Sequence, residues 1–178
     1  MPALFIFQLA KNLKHAEKNK MSHAEILILC IAIPLLFAFT EGMLTYAEIS
    51  HWYAQLKKPK WNPPHWSFGP IWTCLYLLMG ISLYIVWTST VEESIRRPAL
   101  ILFFLQLTLN LFWPIFFFRR HLIGMALADI LTLWLLIFLT MISFANISSQ
   151  ASWLLAPYFV WVSYACFLNY QIWRRNRG

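Results

Sequence analysis

Five apolar runs, at residues 24–46, 67–88, 98–118, 122–144 and 152–173, constrain this 178-residue chain more than any other feature. A helix needs roughly 20 apolar residues to cross the hydrocarbon core of a bilayer, and each run reaches that length. Inside a bilayer each backbone N–H and C=O must be satisfied within the protein, so the runs read as helices. Composition agrees, because only 12% of the residues are charged, about half the 25% share of a soluble domain. Such a chain cannot cover a water-facing surface. The predicted fold is an all-α integral membrane protein, a five-transmembrane-helix bundle with a long, ordered first loop.

The net charge of +7 points to membrane lipid rather than nucleic acid as partner, since basic residues are needed at membrane edges. Lys57, Lys58, Lys60, Arg119, Arg120, Arg174, Arg175 and Arg177 lie on the face of the first loop and the C-terminus. Arg96 and Arg97 lie opposite, joined there by the lysines of the N-terminal extension. The positive-inside rule places the first loop in the cytoplasm when the extension is left out.

That extension, residues 1–22, has an apolar MPALFIFQLA ahead of a basic KNLKHAEKNK. This reverses the order of a signal peptide. It is expected to be peripheral, with residues 23–178 forming the membrane domain. A bacterial cytoplasmic membrane is the expected location, or the mitochondrial outer membrane in a eukaryote.

Short connections after span two make successive helices antiparallel, so the one elaborated feature is the first loop, residues 47–66. Pro59, Pro63, Pro64 and Pro70 restrict its backbone and lower the entropy lost on ordering. The same stretch carries Trp52, Tyr53, Trp61 and Trp66 with Lys57, Lys58 and Lys60. A rigid aromatic loop bearing cations suits a lid over a flat apolar ligand with acidic substituents. Ser67 and Pro70 are expected to start span two.

Polar groups within spans are costly, and each asks for a partner or a purpose. Gln106, Asn110, Trp113, Pro114 and Phe117 fall on one face of span three, as do Trp72 and Tyr76 in span two and Trp161 and Ala165 in span five. At about 1.5 Å per residue, Asn110, Asp129 and Ala165 lie roughly 12 Å below the face of the long loop. Trp72 lies roughly 8 Å and Trp161 roughly 18 Å below it. The matched depths predict a pocket between spans one, two, three and five.

Ordinary structural roles compete at several positions. Trp66, Trp87 and Trp173 sit where interfacial aromatics are common. Gln106 and Asn110 can serve helix–helix hydrogen bonds. Asp129 reads as a structural acid accepting from Trp113 or a backbone N–H, and Glu41 as a side chain snorkelling to the interface. His51, His65 and His121 lack the spacing of metal ligands, and no metal is expected. Cys30, Cys74 and Cys166 are far apart in apolar runs and read as small hydrophobes.

The segments WYAQLKKPKWNPPHWSFGPIWTCLYLLMGISLYIVW, QLTLNLFWPIFFF, ALADILTLW and PYFVWVSYACFLNYQIWRRN together resemble the translocator protein family. That family is also known as the tryptophan-rich sensory proteins or peripheral-type benzodiazepine receptors. The resemblance implies a receptor or transporter for porphyrins such as protoporphyrin IX and haem, and for synthetic benzodiazepine-like ligands. No cofactor is required, and porphyrin or haem enters as ligand. It assigns the pocket to Trp52, Tyr53, Trp72, Tyr76, Asn110, Trp113, Phe117, Trp161 and Ala165.

Two other functions follow from the same resemblance. One is a light-dependent porphyrin-degrading catalyst in which Trp52 and Trp161 react. The other is a sterol-binding protein, with Leu168, Tyr170 and Arg174 fitting a loose cholesterol pattern. Two features depart from the family: Glu41 in the first helix, and a third span without a small-xxx-small face. A homodimer is therefore expected through another face.

Overall fold

The computed structural model describes residues 21–177, and the segment ahead of Met21 lies outside them. Its first long helix, α1 (His23–Ser50), is opened by Ser22. The Ser22 hydroxyl accepts from the Glu25 N–H, while the Glu25 carboxylate accepts from the Ser22 N–H at 2.8 Å. This reciprocal box satisfies backbone donors that a helix start leaves unpaired. A single turn, α2 (Trp52–Gln55), follows in the first loop.

Prolines decide where the remaining elements begin and bend. Pro64, in extended geometry, precedes α3 (His65–Trp87). The helix thus starts two residues ahead of Ser67, whose hydroxyl donates back to the Pro64 carbonyl (2.8 Å). The next helix, α4 (Glu93–Pro114), ends where Pro114 has no N–H to give. The chain then widens into a π-helical turn, Ile115–Arg119, closed by the Arg120 N–H on the Ile115 carbonyl (2.9 Å). Helix α5 (Ile123–Ala145) returns across the membrane. Span five, expected as one helix, is divided into α6 (Ser149–Leu154) and α7 (Ala156–Arg175). Pro157 in the first turn of α7 removes a donor at the junction, which explains the break.

Five segments, His23–Tyr46, Trp66–Trp87, Glu93–Arg119, Ile123–Ala145 and Ser149–Arg175, are long and apolar enough to span a bilayer. Large apolar side chains such as Phe39, Ile101, Leu131 and Val160 are exposed around the outside. In water such a surface would be a liability, whereas lipid solvates it. The chain is an integral, multi-pass membrane protein.

Around the bundle α1 packs on α3, α3 on α6, α6 and α7 on α5, α5 on α4, and α4 back on α1. The spans therefore run in the order one, two, five, four, three. The backbones approach closely at Gly80 of α3, where an added Cβ would lie 2.6 Å from the Ile31 Cα. Only a residue without a side chain lets the two backbones meet there. Ser82 ties α3 to α6 through the Ala151 carbonyl (2.7 Å), and Ser152 ties α6 to α5 through Met141 (2.8 Å).

Candidate ligand-binding site

The first loop is fastened down by its aromatic residues. Tyr53 is buried against Phe117 and Phe118, and its hydroxyl donates to Asn62 Oδ1 (2.6 Å). Burial pushes the Tyr53 phenol up to about 12. Trp61 stacks on Phe167 of α7, with ring centroids 5.3 Å apart and 10° between planes. The Trp61 carbonyl accepts from the Tyr164 hydroxyl (2.9 Å). At the far end of the loop's path, Asn176 holds Lys57, accepting from its N–H and donating to its carbonyl, each at 3.1 Å.

Under this loop lies a cavity with about 120 Å³ of internal space. Trp72 of α3 and Trp161 of α7 meet edge to face across it, with centroids 6.5 Å apart and planes at 88°. Trp113 of α4 stacks on Phe117 of the π-helical turn (5.0 Å, 21°), and Ala165 leaves room on α7. The widened turn aims Phe118 inward as well as Phe117. Span four, left out of the expected pocket, supplies Ile130 and Leu133.

Polar groups are few and mostly engaged with one another. Asn110 Nδ2 donates to the Tyr76 hydroxyl (2.6 Å), which donates to Glu41 Oε1 (2.6 Å). An amide nitrogen can only donate, so the tyrosine proton must point to the carboxylate. Glu41 therefore turns inward and lines the cavity, which corrects the expectation that it snorkels. Trp113 Nε1 donates to Asn169 Oδ1 (2.9 Å), and Asn169 Nδ2 donates to the Ile123 carbonyl (3.1 Å). Trp113 is thus not the partner of Asp129, whose Oδ2 has no hydrogen bond among the described residues. Gln106 accepts from Tyr158 (3.0 Å).

Of the residues expected at the site, Tyr53, Trp72, Asn110, Trp113, Phe117, Trp161 and Ala165 line one cavity. Tyr76 is buried behind the wall and acts through its hydroxyl. Trp52 stands outside the lining: it packs edge-on to Phe117 (5.5 Å) and stacks on His121 (4.1 Å, 12°). His121 adopts a φ of 57° in the turn after the π segment, and its Nε2 lies 3.2 Å from Glu48.

No lid lysine lines the cavity either. Lys58 Nζ donates to the carbonyls of Tyr53 (2.5 Å), Ala54 (3.1 Å) and Leu56 (3.1 Å), and lies over the Tyr53 ring. Loss of hydration pulls its ammonium below its ordinary value. Lys57 and Lys60 are exposed. The sterol pattern is divided between two surfaces. Leu168 lines the cavity, Tyr170 lines a groove between α5 and α7 with Trp134 and Phe167, and Arg174 is exposed.

Five spanning helices around an aromatic cavity, capped by an ordered loop, define a multi-pass membrane protein with an internal chamber. The TspO/MBR family matches residues 30–174. The chain is 41% identical over 150 residues to the tryptophan-rich protein TspO of Chlorobaculum tepidum, covering 84% of this chain and 95% of that one. It is 39% identical over 147 residues to the translocator protein of Homo sapiens, covering 82% and 86%. With the tryptophan-rich sensory protein of Cereibacter sphaeroides it shares 38% over 125 residues, covering 70% and 77%. The chain belongs to the TspO/MBR family.

Proposed function

We propose that this protein binds porphyrins such as protoporphyrin IX and haem, with related flat apolar molecules, inside the cavity. The binding serves tetrapyrrole transport or stress sensing. The observation that carries this reading is the aromatic wall of Trp72, Trp113, Phe117 and Trp161 from three different spans. The chamber is concave and mostly apolar with a few placed polar groups, as small-molecule sites commonly are. Offset or edge contacts with aromatic rings add roughly 0.5–1.5 kcal/mol each beyond area burial. Four such rings offer stacking surface to a flat macrocycle.

Titration of protoporphyrin IX into the protein in lipid nanodiscs tests the reading. A saturable shift of the porphyrin absorption band is expected at one site per chain. A response that rises linearly, as in empty nanodiscs, overturns it.

A further inference from the structure

Glu41 gives this cavity a chemical preference that its aromatic wall cannot supply. Its carboxyl is the one acidic group among the described residues that line the chamber, and no lysine, arginine or histidine lines it. Oε1 is taken up by the Tyr76 hydroxyl, itself held by Asn110, so the group is fixed in direction. Among the described residues no lysine, arginine or histidine pairs with it. A carboxylate placed against apolar walls loses hydration that one tyrosine hydroxyl does not replace. A ligand that brings a donor with positive charge to the free oxygen restores what burial removed. A ligand that brings a second carboxylate supplies neither the donor nor the positive charge.

We propose that Glu41 is a specificity-determining residue: the chamber prefers flat aromatic ligands that present a protonated nitrogen at its inner wall and disfavours those that present a carboxylate there. The inference rests on the reading of the cavity as a ligand site. For a porphyrin it fixes orientation, with acidic substituents directed away from Glu41.

Two probes with one aromatic body separate charge from shape. Pyrenemethylamine, as its ammonium form, and pyrenecarboxylate are titrated by fluorescence into the protein in nanodiscs of zwitterionic lipid, with empty nanodiscs subtracted. The wild type is expected to bind the ammonium at least about tenfold more tightly than the carboxylate, as a partly buried charge pair warrants. Glu41→Gln still accepts from Tyr76 but has no charge, and should bring the two probes to within about threefold. Glu41→Asp retains the charge and should keep the preference.

Equal affinity in the wild type, or a preference unchanged in Glu41→Gln, overturns the proposal. If the Gln variant does not fold, the wild-type ratio and the Asp variant still decide. Protoporphyrin IX is titrated in parallel. Porphyrin binding without discrimination between the pyrenes removes the role of Glu41 and leaves the porphyrin reading. A preference that depends on Glu41, without porphyrin binding, supports the role of Glu41 and removes the porphyrin reading.

Discussion

Single residues set the chemistry of the chamber, and Trp161 separates binding from catalysis. Its ring meets Trp72 and Phe68 edge to face and Tyr164 at 30°. Trp161→Phe keeps an aromatic face, so protoporphyrin affinity should change by less than about threefold, while Trp161→Ala should lose about tenfold. If illumination of the wild type bleaches bound porphyrin and Trp161→Phe does not, the indole takes part in a reaction and the protein is an enzyme. Absorption spectra in light and dark settle the point.

Tyr53 offers a second test at this scale. Its pKa is raised from 10.0 to about 12 in the folded protein. The folded state then holds its proton more tightly than the unfolded state. The corresponding stability is complete below pH 10 and is lost as pH rises toward 12. Protease cleavage in the first loop should accelerate over that window, and Tyr53→Phe, which cannot ionise, should blunt the acceleration.

Trp161, expected roughly 10 Å below Trp72, has its ring 6.5 Å from that of Trp72, whereas Trp72, Asn110 and Ala165 were legible because helix rise converts residue number into depth. Glu41 was not. A glutamate near a span end has the reach to snorkel, and only the position of Tyr76 across the helix interface turns it inward. Asn169 escaped notice for a similar reason, since its partners Trp113 and Ile123 come from two other spans.

Among elements, the contact between α1 and α3 and the fastening of the first loop matter most. Gly80→Val would put methyl groups against the backbone at Cys30 and Ile31, where a Cβ already finds atoms at 2.6 and 3.0 Å. Overpacking of this kind costs about 1–3 kcal/mol, and a lower thermal midpoint in detergent should report it. An unchanged midpoint would mean that the helices are not held so close.

In the loop, Lys58 is expected to act as a clamp on three carbonyls rather than as a ligand contact. Lys58→Met should therefore speed loop proteolysis in the absence of ligand. Lys57→Gln with Lys60→Gln should leave proteolysis alone and weaken porphyrin binding by under about 1 kcal/mol per site, with the difference fading in salt. The rigidity of the loop could be read from its prolines. The inward aim of both Phe117 and Phe118 could not, because adjacent residues diverge by about 100° on a regular helix and only the widened turn after Pro114 brings both in.

For the whole molecule, five spans could be read from the length of the apolar runs, but their order around the bundle could not. Short connections make neighbours antiparallel without saying which non-consecutive helices touch. The closure of span five on span two depends on α6, a separate piece that Pro157 sets off and Ser82 and Ser152 tie in place. That closure leaves a chamber beneath the loop, and there, rather than on the lipid-facing surface, we place the flat ligand.

Ala165→Trp tests this most directly, because it fills the chamber from α7 while leaving the outer face of the bundle unchanged. With protein folded by circular dichroism, protoporphyrin IX binding in nanodiscs should fall by at least about tenfold, the cost of roughly 1.4 kcal/mol or more. Undiminished binding to folded Ala165→Trp would move the porphyrin to the outside of the bundle.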